Sequence, residues 1–174
     1  MATPIDDPTP WLDDQLLTLW VRMVSVLELL PSQLDSHLRR VAGLTYFDYY
    51  VLAMLSEAPD RTLPMSALAA RTNATLPRLS HVARRLEDRG LLERTVSVSD
   101  RRVTIGRLTE AGWETVVATA PQHVAQVRRL VFDVLSDEQV AQLSDITERL
   151  VAVLDPHGRM SLPYTPTGSV RESR

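Results

Sequence analysis

The chain contains no cysteine and no long run of apolar residues. The missing thiol excludes disulfide bonds, zinc–thiolate sites, cysteine nucleophiles and thiol redox switches. No apolar stretch approaches the roughly 20 residues that a helix needs to cross a bilayer. The first ten residues, MATPIDDPTP, lack a basic start followed by an apolar segment, so we expect no signal peptide. These absences predict a cytoplasmic protein with no membrane partner.

Lysine is also missing, so all 19 basic residues are arginines. The net charge of −3 suggests no particular partner, but its distribution is uneven. Residues 61–107 hold ten arginines and four acids, whereas the rest of the chain is acidic. Genome base composition is a sufficient cause of the all-arginine usage, but each positive group is then a planar guanidinium that can bind phosphate or guanine through two hydrogen bonds.

Glycine and histidine are too few and too scattered to form a catalytic or ligand-binding motif. The six glycines occur singly, which excludes a glycine-rich phosphate loop. The four histidines are isolated, and none has the spacing of a metal-ligand pair. No nucleophile lies beside a candidate base. We therefore predict no metal, no cofactor and no enzymatic activity.

Apolar spacing and helix-ending residues divide the N-terminal part into helices. Apolar residues recur at helical spacing over 11–30. Pro31 is expected to end this helix because it lacks an N–H and disfavours helix at the residue before it. Ser32 then caps a second short piece that ends at Gly43, and Thr45 caps the next helix.

The middle of the chain predicts two short helices, at 65–71 and 76–89, followed by two strands within 91–108 around a turn. Thr109 is expected to cap a long helix that runs to about residue 134. The last helix begins at a capping box of sequence SDEQ, residues 136–139.

The two short helices have the pattern of a helix-turn-helix. Asn73 occupies the turn, because asparagine tolerates a positive φ angle. The second helix has an apolar side that consists of Leu76, Leu79, Val82, Ala83 and Leu86. Its other sides carry hydroxyl, imidazole and guanidinium groups, with no acid before Glu87. Such a helix suits the major groove of DNA, although a merely solvated helix face explains it equally well.

The predicted hairpin after this helix favours DNA binding over the interpretation as a solvated helix face. Arg101 and Arg102 lie at its tip, and Asp100 can hold one of them in place. A basic hairpin tip suits the narrow, electronegative minor groove, while a solubilising turn is the alternative. Helix and hairpin are basic together, which favours DNA. The predicted DNA-binding residues are Thr75, Pro77, Arg78, Ser80, His81, Arg84, Arg85, Arg101 and Arg102.

Four short motifs occur in a fixed order along the chain: Gly43-Leu44-Thr45, Leu86-Glu87-x-x-Gly90-Leu91, Asp100-Arg101-Arg102 and Leu108-Thr109-x-x-Gly112. With this order and spacing, the sequence resembles the MarR family of bacterial winged-helix transcription regulators. The resemblance implies a mainly α fold with a small β-hairpin wing, a winged helix-turn-helix, assembled as a MarR-like homodimer. Pro31 and Pro121 depart from the family pattern because they bend helices that the family uses for dimerisation.

The resemblance also implies a domain organisation. Residues 11–42 and 109–155 form a helical dimerisation region, and 43–108 form the winged helix-turn-helix lobe that binds DNA. Residues 1–10 are expected to be a flexible arm and 156–174 a flexible tail. The apolar stripes of the terminal helices could also serve the core of one monomer. Because the central lobe has its own core, we favour burial against a twin.

Aromatic residues cluster on the helix after Thr45, and aromatics at this spacing are more often part of a core. The resemblance allows a second role, a pocket for a small aromatic effector. We hypothesise that His37, Tyr46 and Tyr50 line it.

The sequence thus predicts a homodimeric, sequence-specific DNA-binding regulator, a repressor of the MarR type that occupies a palindromic operator in double-stranded DNA. A small aromatic ligand would relieve the repression. The alternative is a winged-helix module that binds an acidic protein partner and has no specific affinity for DNA.

Overall fold

The structure is a computed structural model that describes residues 10–160. Most of the arm predicted at 1–10 and of the tail predicted at 156–174 lies outside the described residues. Within this range there are six α-helices and three strands. In chain order they are α1 Asp14–Ala42, α2 Tyr46–Ser56, β1 Thr62–Pro64, α3 Met65–Arg71, α4 Leu76–Asp88, β2 Leu92–Val96, β3 Thr104–Leu108, α5 Glu110–Val127 and α6 Asp137–Leu154.

The chain divides into two compact units, one that ends at Gln33 and one that begins at Leu34. The first contains most of α1, whose first turn begins where an Asp13 Oδ1 accepts the Leu16 N–H at 2.8 Å. The apolar side chains of this unit are largely exposed, and Trp20 retains 49 % of its accessible surface. The second unit contains the winged helix and the helices that follow it.

α1 is one continuous helix, so the predicted break at Pro31 is wrong. A proline inside a helix removes one intrahelical hydrogen bond and costs about 3 kcal/mol. The helical turns continue on both sides of it, and Leu34 and Leu38 are buried in the turns that follow. Gly43 then ends the helix with a φ of +63°, as predicted.

The core of the second unit lies between α2, α3, α4 and the sheet. Its fully buried side chains include Leu38, Leu44, Leu52, Leu55, Leu68, Leu79, Leu86 and Leu92. Thr45 caps α2 through a capping box with Asp48, and Asn73 in the helix-turn-helix has a φ of +47°. The local signals for these turns are therefore confirmed.

The sheet has three antiparallel strands in the order β1-β3-β2, whereas the sequence predicted two. β2 and β3 form the predicted hairpin, in which Leu92 pairs with Leu108 and Val96 with Thr104. β1 adds a third strand by pairing Leu63 with Gly106. The mainly α winged helix is confirmed, and the extra strand anchors the hairpin to α3.

α5 begins at the predicted cap, where the Thr109 hydroxyl accepts the Gly112 N–H at 3.0 Å. Pro121 lies inside the helix, and the kink expected there stays a prediction. The helix ends at Val127 and continues as one π-helical turn to Phe132. α6 begins at the predicted capping box, in which Ser136 and Gln139 exchange hydrogen bonds.

Candidate nucleic-acid interface

The second helix of the helix-turn-helix, α4, is the predicted recognition helix, and it has one buried side and one exposed side. Thr75 caps it by accepting the Arg78 N–H at 3.4 Å, and Pro77 fits in the first turn, where its missing N–H needs no partner. The buried side consists of Leu79, Val82, Ala83 and Leu86. Leu76 was expected there too but is 49 % exposed, because the first helical residue lies beyond the edge of the core.

The exposed side of α4 carries no acid until the last two residues of the helix. Pro77, Arg78, Ser80, His81 and Arg84 are all solvent-exposed. The sequence-based assignment of these faces therefore agrees with the structure. Contact of these side chains with DNA stays a prediction.

Two arginines of α4, and the arginine that follows it as the C-cap, contact the protein itself. The Arg78 guanidinium carbon lies 4.3 Å from the centre of the Phe47 ring. The Arg85 guanidinium pairs with the Asp48 carboxylate, whose side chain is 3 % exposed. Arg89 donates to the Gly43 carbonyl oxygen at 2.9 Å. These contacts were not foreseen, because they join residues more than thirty positions apart.

The hairpin tip, residues 97–103, is held in shape by its own hydrogen bonds. The Ser97 N–H donates to the Val103 carbonyl at 2.8 Å, which closes the loop. Asp100 Oδ1 accepts the Arg102 backbone N–H at 3.0 Å and its Nε–H at 3.3 Å, as the sequence suggested. Arg101 is exposed and forms no ion pair within residues 10–160. The tip thus presents two guanidinium groups, one of them oriented by a carboxylate.

The base of the hairpin is fastened to the C-terminal end of α4. Glu87 accepts the Arg94 N–H at 2.8 Å and the Arg94 Nε–H at 2.7 Å. The Thr109 hydroxyl donates to the Gly90 carbonyl at 2.7 Å. Sequence reasoning treated Glu87 only as an acid at the far end of the helix. Its place in the motif Leu86-Glu87-x-x-Gly90-Leu91 is the signal that could have identified this link.

Ion pairing reduces the charge that the basic middle offers to a partner. Of the ten arginines in 61–107, five pair with a described carboxylate: Arg61 with Glu110, Arg85 with Asp48, Arg94 with Glu87, Arg102 with Asp100 and Arg107 with Glu93. Arg84 and Arg101 are exposed and have no ion pair among the described residues. The cationic groups open to a ligand therefore concentrate on α4 and the hairpin tip.

The aromatic cluster on α2 is half-buried. The rings of Tyr46 and Tyr50 are parallel with centroids 6.2 Å apart, and the Tyr50 hydroxyl donates to the Arg71 carbonyl at 3.1 Å. Burial raises the pKa of both tyrosines, and Tyr46 and Glu57 add smaller effects on the pKa of Tyr50. A phenolic ligand could stack on such rings. Within the described part of the chain, the His37 ring makes no aromatic contact with either tyrosine.

His37 interacts electrostatically with His123, a residue that the sequence analysis did not single out. Burial lowers the pKa of His123, and the charge of His37 lowers it further. The His123 ring lies 4.7 Å from Tyr49, centroid to centroid. His37 Nε2 and His123 Nδ1 are buried and have no hydrogen-bond partner among the described residues.

A surface cleft of about 580 Å³ does not involve the predicted residues. Its lining includes Arg61, Arg107, Glu93 and Glu110, whose charges pair with one another. Within residues 10–160, no cluster of three metal-ligating side chains occurs, and no helix is long and apolar enough to span a membrane.

Comparison with known proteins relates this arrangement to a family. A model of the MarR family matches residues 42–103, from the end of α1 to the hairpin tip. Sco3205 is a MarR family transcriptional regulator from Streptomyces coelicolor whose crystal structure was determined in complex with DNA. It is 37 % identical in sequence to this chain, and the two structures superimpose with a TM-score of 0.82. The similarity covers 87 % of this chain and 95 % of that one. The chain belongs to the MarR family.

Two further relatives are similar to this MarR-family chain. The HTH-type transcriptional regulator MhqR of Bacillus subtilis is 25 % identical over 137 residues, which cover 79 % of this chain and 92 % of MhqR. The transcriptional repressor MprA of Escherichia coli is 28 % identical over 116 residues, 67 % of this chain and 65 % of MprA. As a MarR-family transcriptional regulator the chain is not an enzyme, which confirms that prediction.

Proposed function

We propose that this MarR-family protein is a sequence-specific DNA-binding repressor that acts as a homodimer on a palindromic operator. The observation that carries the proposal is the two-sided helix α4, which buries its leucines and exposes an acid-free face. Sco3205, a similar protein over nearly its full length, was crystallised with DNA. The protein would act in the cytoplasm, where its operator lies.

In this proposal α4 enters the major groove with its N-terminal half. Arg84, which is free of ion pairs among the described residues, hydrogen-bonds a guanine through both arms of its guanidinium. Ser80 and His81 face base edges. Thr75, Pro77 and Arg78 lie at the start of the helix, where its N-terminal dipole attracts a phosphate.

The hairpin tip would occupy the adjacent minor groove. Arg101 and Arg102 project from it, and Asp100 restricts the Arg102 side chain through two hydrogen bonds. A guanidinium there is attracted mainly by the phosphates on both sides of the groove. The contact therefore adds affinity that depends little on base sequence.

Dimerisation is proposed because the apolar residues of α6 are left unburied by the rest of residues 10–160. None of its residues is buried, and Leu150 and Leu154 keep 42 % and 81 % of their accessible surface. A second copy would cover such residues and set the distance between two recognition helices. We expect Leu150→Glu to yield monomers in sedimentation velocity, while Glu148→Gln on the same helix stays dimeric. A monomeric wild-type protein would contradict the proposed dimer.

The proposal includes repression of transcription and its relief by a small ligand. The similarity to MprA, named a transcriptional repressor, supports repression by occupation of a promoter. A small aromatic ligand would bind near His37, Tyr46 and Tyr50, where two parallel rings are half-buried. Phenolic compounds should raise the melting temperature and change operator affinity. Unchanged values for both at saturating concentrations would refute the effector site.

The decisive experiment is selection of bound fragments from random duplex DNA. We expect enrichment of a palindrome whose half-sites are about one helical turn apart, roughly 10 base pairs. The variant with both Arg84→Ala and Arg101→Ala is the matched control and should enrich nothing. Failure of the wild-type protein to enrich any sequence would favour the alternative, a winged-helix module that binds an acidic protein.

A further inference from the structure

Two arginines of the recognition helix, and a third at its C-terminal cap, lie on one stripe that faces the start of α2. Arg78, Arg85 and Arg89 are separated by seven and four residues, so they share one side of the helix. Each contacts a residue in the segment 43–48, which comprises the connection from α1 to α2 and the first three residues of α2. We call residues 43–48 the junction segment. Arg84, which is proposed to read a base, lies on a different stripe.

The Asp48 carboxylate is the most buried part of this contact. Its Oδ2 accepts the Thr45 N–H at 2.9 Å, which completes the cap of α2. Its Oδ1 accepts the Arg85 guanidinium. One nearly buried side chain therefore fixes both the beginning of α2 and the lateral position of α4, because each carboxylate oxygen holds a different element.

The junction segment is itself fixed to the end of α1. Asp35 Oδ1 accepts the Tyr46 N–H at 2.8 Å, and Asp35 Oδ2 accepts the Arg39 Nε–H at 2.6 Å. A backbone hydrogen bond to a carboxylate on another helix allows little movement. The recognition helix thus has a hydrogen-bonded connection to α1 through Asp35, the junction segment, Asp48 and Arg85.

We propose that the junction segment positions the recognition helix for DNA and that Arg85 acts through Asp48 as a positioning residue, without touching a phosphate. The proposal rests on the proposed DNA-binding function and assigns one of its basic residues a different role. An arginine whose guanidinium pairs with a nearly buried carboxylate offers a phosphate little net charge. Arg84, one residue earlier, is exposed and has no ion pair among the described residues, which makes it the matched control.

Salt dependence distinguishes the two roles. Each phosphate contact adds about −0.9 to the slope of log affinity against log salt concentration, whereas a positioning residue adds nothing to it. Affinity is measured for the duplex enriched from random DNA and for a scrambled duplex of the same composition. All variants are compared at a temperature where circular dichroism shows them fully folded.

We expect Arg85→Gln and Asp48→Asn each to weaken enriched-duplex binding about tenfold while the salt slope stays at its wild-type value. Asp48→Asn keeps an oxygen for the Thr45 N–H, so the cap of α2 survives. The double variant should lose no more than either single variant, because both remove the same contact. Arg85→Lys, which retains the ion pair, should recover most of the affinity. Arg84→Gln, by contrast, should reduce the discrimination between the enriched and the scrambled duplex, and Arg102→Gln should make the slope less steep by about 0.9.

The proposal is overturned if Arg85→Gln makes the slope less steep by about 0.9, or if Asp48→Asn leaves affinity unchanged or raises it. Should Asp48→Asn not fold, the contrast between Arg85→Gln and Arg85→Lys decides the same question.

Absence of wild-type binding to any duplex would contradict the DNA-binding function instead. Amide exchange of α4 in the free protein then tests the positioning role. Faster exchange in Arg85→Gln than in Arg84→Gln supports it, and equal exchange overturns it.

Discussion

Gly112 lies against Leu91 so closely that a β-carbon at position 112 would be 2.0 Å from the Leu91 carbonyl oxygen. The same β-carbon would lie 2.7 Å from the Leu108 side chain. The first turn of α5 therefore packs directly on the chain that leads into β2. This contact gives a physical reason for the glycine in the motif Leu108-Thr109-x-x-Gly112.

The close contact predicts the effect of adding one methyl group. Gly112→Ala should lower the free energy of unfolding by about 3 kcal/mol, because backbone atoms cannot move aside as a flexible side chain can. Gly90→Ala is the control. Position 90 has a φ of +69°, but no atom lies within 4 Å of a β-carbon placed there. Gly90→Ala should therefore lower the free energy of unfolding by only about 1 kcal/mol. Urea unfolding measures both, and equal losses would contradict the steric explanation.

Arg84 is predicted to read a base. Arg84→Ala should reduce the discrimination between the operator and single-base variants of it by about 1–3 kcal/mol at one position in each half-site. Competition binding with substituted duplexes measures this preference. Arg149→Ala, which removes an exposed arginine of α6, should leave the preference unchanged. The assignment is wrong if Arg84→Ala discriminates as well as the wild-type protein.

Arg102 is predicted to supply affinity with little sequence preference. Arg102→Ala should weaken binding to most duplexes by a similar factor and reduce the salt slope by about 0.9. Arg107→Ala provides the comparison, since Arg107 pairs with Glu93 below the hairpin tip. Titrations of operator and unrelated DNA at several salt concentrations test the prediction. A loss confined to the operator would indicate base reading by the tip instead.

Burial of His123 predicts acid sensitivity of the fold. Because its pKa in the folded state lies below the ordinary value of 6.5, the unfolded chain takes up a proton first as the pH falls. The free energy of unfolding should therefore decrease as the pH drops from about 6.5 toward the folded-state pKa. His123→Gln should flatten this decrease, whereas His81→Gln, at an exposed position on α4, should not. Denaturant unfolding between pH 7.5 and roughly 5 checks it, and identical pH profiles for the three proteins would contradict it.

Local chemistry in the sequence was enough for most helix ends and for the sides of the recognition helix. Gly43 and Asn73 take positive φ angles because few other residues do so easily. Thr45, Thr109 and Ser136 cap helices because their hydroxyls accept free N–H groups nearby. These interactions join residues within a few positions of one another, so their pattern can be read along the chain.

Tertiary structure decided the features that join distant segments. β1 is three residues long and carries no strand pattern of its own, so its pairing with β3 depends on the fold that brings the two together. α1 continues through Pro31 although the local preference favours a break. The partner of Arg85 is Asp48, 37 residues away, and only the packing of α4 against the start of α2 places that carboxylate within reach. The sequence by itself determined where positive charge is available, and the tertiary structure decided which of those charges the protein uses to hold itself together.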